Sequence, residues 1–218
     1  MIGRRQPKWI PRLIVCGVVG GLLVVFPPLH IVPLESARDK AQAQVFDPGQ
    51  FALRFWQQQL PGALDDAHEA GIVIDAIRRD RKSAKEQYGR VVGLDGPHHY
   101  FLKGSARIIA LHERQVELAL DGNSSGRADI VLLTSMIFGN EILNATGLVK
   151  HSQFERTNDY NAISAEVNKI VESELAPPFL EEAKIDSTVR FVGCSSKISD
   201  DDPMPIPMRL VPVKLEVE

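Results

Sequence analysis

The chain has 218 residues, 44% of them hydrophobic and 24% charged, and a formal charge of −3. That length allows one compact domain plus an extra module, and the composition is that of a globular chain rather than a disordered one. Charge is unevenly spread: residues 1–34 carry Arg4, Arg5, Lys8 and Arg12 and no acid, leaving 21 of the 25 bases against all 28 acids, a net of −7 for the remainder. An acidic body lacks the concentrated positive charge that phosphate backbones require, so a nucleic-acid partner is excluded from the expectations.

Behind the basic start, Leu13 to Leu34 contains no charged residue. As a helix, such a run reaches roughly 33 Å at about 1.5 Å per residue, enough to cross the hydrocarbon core of a bilayer. Bases before it and acids after it direct the N-terminus to the cytoplasm and the body to the far side. The reading is a single-pass membrane anchor with the body outside that membrane. Two alternatives stay open. Leu13–Phe26 has the length of a signal-peptide core, which Pro27 and Pro28 would terminate, and Cys16 in "LIVCG" gives a poor lipoprotein signal with bulky Val15 before it. The only other cysteine is Cys194, so no internal disulfide framework is expected. Its place after "VRFVG" reads as a buried small hydrophobe.

Residues 35–46 read as a polar connector and 47–90 as a small helical module. Asp47 suits an N-cap, Pro48 the first turn, and Phe51, Phe55 and Trp56 share one helical face. Leu60-Pro61-Gly62 is expected to break this helix, a second following over Ala63–Ala70. "IVIDAIRRDRKSAKEQYG" supplies one or two more.

The period changes in residues 91–218. Tyr100, Leu102, Gly104, Ala106, Ile108 and Ala110 alternate with Lys103, Ser105 and Arg107, a half-buried strand. Val116, Leu118 and Leu120 repeat the alternation, "DGNSSG" marks a turn, and "RADIVLLTSMIF" gives a third strand. A helix is predicted over Tyr160–Leu175 from the stripe Ile163, Val167, Ile170 and Val171, with Asn158 or Asp159 as N-cap and Ala176-Pro177-Pro178 as its end. "STVRFVG" and "MRLVPVKLEVE" are the last strands, joined by "SSKISDDDPMPIP". The fold class expected is α+β: an N-terminal membrane helix, a small helical module, then an OB-like, partly open β-barrel of three strands, a helix and two strands.

Chemical motifs are sparse. Adjacent His98 and His99 on a strand point to opposite faces, and no CxxC, HExxH or calcium-loop spacing supports a metal site. No G-x-S-x-G elbow accompanies Ser135, His112 or Asp159, and the pairs Asp65–Asp66 and Asp200–Asp202 read as solvated charge. No catalytic residue, metal or cofactor is expected. The remaining candidate lies in "FGNEILNATGL" and the helix after it, where Gly139, Asn140, Asn144, Asp159, Asn161 and Asn168 gather. Asparagine and aspartate commonly tie up nearby backbone in turns and caps. The alternative is a ligand or partner contact of sugar-type hydrogen bonding.

The stretch "FGNEILNATGLVKHSQFERTNDYNAISAEVNKIVESELAPPF", with "VRFVGC", "LVPV", "RFWQQQLPGALDDA" and "RVVGLDGPHHYFLKGSARI", resembles a bacterial family of predicted periplasmic lipoproteins of unknown function. The similarity runs through nearly all of the chain after Val45 and is most specific at Phe154, Asp159, Tyr160, Asn161 and Asn168. The resemblance implies a helical module joined to a small OB-like β domain. It also implies gene neighbours encoding sugar ABC transporters, and hence an accessory or scaffold with transporter components as partners. The chain departs from the family pattern at Leu143-Asn144, where an Arg-Asp pair is common, and at Arg156 and Asn158, where Asn and Gln are usual. A small sugar-like ligand module and a hydrolase-type enzyme are the alternative functions.

Overall fold

The computed structural model describes residues 46–93, 96–123, 126–195 and 206–218. The expected anchor, Cys16, most of the connector and most of the proline-rich loop lie outside the described residues. Among the described residues no helix is long and apolar enough to cross a membrane. Residues Asp47–Glu218 form one compact unit, so the helices of 47–90 pack together with the β domain.

Asp47 caps α1 (Pro48–Arg54), its side chain accepting from the Gln50 N–H. The helix then widens into a π turn, Phe55–Gln59, and continues as α2 (Leu60–Ala63), so Pro61 and Gly62 do not break it. The Leu60 N–H bonds back five residues to the Phe55 carbonyl, and this wider turn makes room for a proline ring that would collide with the carbonyl four residues earlier. The expected helix over Ala63–Ala70 is instead a 3₁₀ turn, Leu64–Asp66, followed by β1 (His68–Glu69). Next come α3 (Ala70–Arg79) and α4 (Arg81–Tyr88), separated by Asp80, whose side chain accepts from the Lys82 and Ser83 N–H groups. The hairpin strands β2 (Arg90–Val91) and β3 (His98–His99) follow.

The barrel begins with the meander β4 (Phe101–Leu111), β5 (Gln115–Leu120) and β6 (Ile130–Leu133). After α5 (Glu141–Thr146) comes α6 (Thr157–Ile170). Arg156, rather than Asn158 or Asp159, stands at the N-cap of α6, without a side-chain cap bond. A second π turn, Val171–Leu175, leads into α7 (Ala176–Glu182), which contains Pro177 and Pro178. The expected stop is again bridged, the Ala176 N–H bonding to the Val171 carbonyl. The last strands are β7 (Thr188–Ser195) and β8 (Met208–Val217).

The barrel is closed rather than partly open. The strands run β4-β5-β6-β8-β7, and β7 pairs back onto β4 over seven positions, Phe101↔Cys194 to Arg107↔Thr188. Only β6–β8 is parallel within this ring, and β1 adds a parallel edge to β4. Pro212 is tolerated in β8 because the register shifts between Val192 and Gly193 beside it. Inward-facing Leu102, Ala106, Ile108, Val116, Leu118, Ile130, Leu132, Phe191 and Leu210 fill the interior. Ala70, Val73, Ile74 and Ile77 of α3, spaced i, i+3, i+4 and i+7, pack their stripe into the same core. On the other side α1 packs along α6, whose Ile163, Val167 and Ile170 are buried as predicted.

Candidate functional site

Two features surround α5: a displayed loop at its N-terminal end and a cavity at its C-terminal end. The loop leaves β6 with Thr134 buried and then turns through two left-handed positions, Met136 (φ 53°) and Gly139 (φ 92°). Between them Ile137 turns inward, 5% exposed, while Phe138 is 75% exposed and Met136 55%. Two side chains one helical turn apart hold this backbone. Glu172 Oε1 accepts the Ile137 N–H at 2.5 Å, and Asn168 Nδ2 donates to the Gly139 carbonyl at 3.0 Å and lies 3.5 Å from that of Ile137.

Asn140 occupies the N-cap position of α5 without capping through its side chain. Its Nδ2 donates instead to Asn161 Oδ1 on α6 at 3.0 Å. One turn later Asn144 Oδ1 accepts the Tyr160 hydroxyl at 2.9 Å, and Asn144 Nδ2 lies 3.3 Å from His99 Nε2. His99 Nδ1 is 3.5 Å from the Ser195 carbonyl. With Asn144 donating to Nε2, Nδ1 carries the proton and faces that carbonyl, so the chain runs Tyr160–Asn144–His99–Ser195 in one direction. Burial pushes the Tyr160 phenol up to about 12, keeping it a donor.

Gly139, Asn140, Asn144, Asn161 and Asn168 are thus gathered along the seam between α5 and α6. The side-chain amide N–H groups of Asn140, Asn144 and Asn168 are turned to internal partners, side chain and backbone, and Asn161 accepts through its Oδ1. Asp159 stands apart from them and pairs with Arg156 one turn away at 2.9 and 3.2 Å. Cys194 is buried, and burial, then the nearby Glu141 carboxylate, push its thiol up. Among the described residues no three His, Cys, Asp or Glu side chains gather as a metal-ligand set.

The cavity was not legible in the sequence. It has a volume of about 390 Å³ and is lined by residues of α2, the 3₁₀ turn, β1, α4, the β2–β3 hairpin, β4 and α5. His68 and Tyr88 meet edge to face there, ring centroids 5.2 Å apart. Arg90 Nε donates to the Ala145 carbonyl at 3.1 Å, closing the C-terminal end of α5. Gly147 ends that helix at φ 63°, and a Cβ there would collide with the Arg90 guanidinium. Of the residues singled out from sequence, Asn144 bears on this cavity indirectly, because it fixes the ring of buried His99, which lines it.

No curated protein matches the chain. Among solved structures it is similar to an OB-fold protein of Thermotoga maritima, 27% identical, with a TM-score of 0.74, over 80% of this chain and 100% of that one. The likeness agrees with the closed five-stranded barrel and its crossover helix. The family model described as predicted periplasmic lipoprotein (DUF2291) matches residues 19–216, and the chain belongs to that family.

Proposed function

We propose that this protein is a membrane-tethered, periplasm-facing, non-catalytic accessory that docks a protein partner through the loop Met136–Phe138. The observation that carries the reading is Phe138, 75% exposed on backbone locked by Asn168 and Glu172. A large apolar side chain held out on rigid backbone loses little entropy on binding and serves as an anchor for a complementary pocket. The left-handed Met136 supports the same view, since non-glycine residues there are costly and persist where surroundings impose them. The partner proposed is a component of a sugar ABC transporter, as the family resemblance implies.

Affinity purification of the full chain from its native membranes tests this. Transporter subunits are expected with the wild-type chain and at least tenfold less with Phe138→Ser. Recovery of no transporter subunit, together with unchanged sugar uptake after deletion, would overturn the reading.

A further inference from the structure

The open cleft beside α5 is lined by exposed polar side chains, Arg90, Asp66 and Gln87, that the fold does not fully consume. Arg90 opens β2, paired in register with His99, and spends only its Nε, on the Ala145 carbonyl. Its two terminal amino groups have no hydrogen-bond partner among the described residues. Gly147 lets the guanidinium lie close to the end of α5, so the fork is held from two sides. Asp66 and Gln87 line the same cavity, and their side chains make no hydrogen bond within the described residues. The apolar part of the wall includes Ala63, Tyr88, Val91, Phe101 and Ala145.

We propose that this cavity is a binding site for a small hydroxy acid. The carboxylate meets the terminal amino groups of Arg90, a planar fork matched to two carboxylate oxygens. Hydroxyl groups donate to the Asp66 carboxylate and the Gln87 amide oxygen. The short carbon skeleton lies against Tyr88 and Phe101. A volume of about 390 Å³ is at the low end for ligand pockets and fits a monomeric ligand rather than a polymer. His99 enters as a wall, since both of its ring nitrogens already have partners. This site does not depend on the docking loop, so it stands or falls separately from the partner reading.

The test is calorimetric titration of the full chain in detergent with D-gluconate, D-glycerate and L-malate. Sorbitol serves as the neutral counterpart and inorganic phosphate as the rival anion. At least one hydroxy acid is expected to bind at least tenfold more tightly than sorbitol or phosphate. Arg90→Gln is expected to abolish that binding. Because Arg90 also closes α5, Asp66→Asn provides the second variant. It is expected to keep the wild-type melting temperature and weaken hydroxy-acid binding about tenfold, while Phe138→Ser leaves binding unchanged. Absence of binding by all three acids, equal binding of sorbitol or phosphate, or wild-type affinity in either cavity variant would overturn the assignment.

Discussion

Asn168, buried in α6, donates its amide to the carbonyl of Gly139, 29 residues earlier in the chain and 3.0 Å away. One side chain thereby fixes the exit of β6, the left-handed turn at Gly139 and the entry to α5.

Asn168→Ala leaves the Gly139 and Ile137 carbonyls without that donor while preserving helix propensity in α6. Loss of a bond to buried backbone costs about 1–3 kcal/mol. Urea unfolding should show a lower midpoint with an unchanged slope. Hydrogen exchange should quicken first over residues 136–141, and an unchanged midpoint would remove the amide from any role in holding this loop.

Gly147→Ala should destabilise the chain by about 2 kcal/mol, because an L-residue in the left-handed region costs roughly 1–2 kcal/mol and the new methyl also displaces Arg90. Gly49→Ala in α1 has no left-handed backbone and serves as a comparison. Thermal melting of the two variants checks the contrast.

His98 carries a buried Nδ1 without a hydrogen-bond partner among the described residues, and burial, then the Lys85 charge, lower its pKa from the usual 6.5. A lowered folded-state value means the unfolded chain takes up the proton first. The stability tied to neutral His98 is therefore present above pH 6.5 and is lost as pH falls through the lower folded value. His98→Gln should flatten the acid side of the stability-versus-pH curve, measured by urea unfolding between about pH 7 and pH 5.

Cys194 should resist alkylation in the folded chain, since its thiol is fully buried and pushed away from the thiolate. In a Cys16→Ser background, a maleimide should react only after denaturant is added. Fast labelling of the native protein would show that β7 opens near Cys194.

The order of elements was legible because periodicity is local. Alternation from Tyr100 to Ile108 and the stripe Ile163, Val167 and Ile170 gave the barrel strand and the crossover helix directly, although a register shift between Ile108 and Ala110 takes Ala110 out of the expected alternation. The prolines misled for a local reason as well. Pro61 and Pro177 forbid an ordinary helical turn, and the π turns ahead of them answer that constraint through a hydrogen-bond pattern that the residue types do not announce. Two-residue β1 was missed because its pairing comes from Leu102 and Lys103, more than thirty residues away.

The candidate site divides along the same line. The polar cluster around "FGNEILNATGL" stood out by composition, and five of its six members meet along one seam. Their partners could not be read from spacing: Asn144 with Tyr160 and His99, Asn140 with Asn161, and Asn168 with Gly139 each join separate elements. By itself the sequence determined the α+β class and the acidic body, because these follow from local pattern and composition, and its motifs identified the family by resemblance. Tertiary structure alone decided that the barrel closes through β4–β7, that Phe138 is held outward, and that Arg90, Asp66 and Gln87 share one cavity. Those outcomes depend on packing and hydrogen bonds between residues far apart in the chain, for which no local period exists.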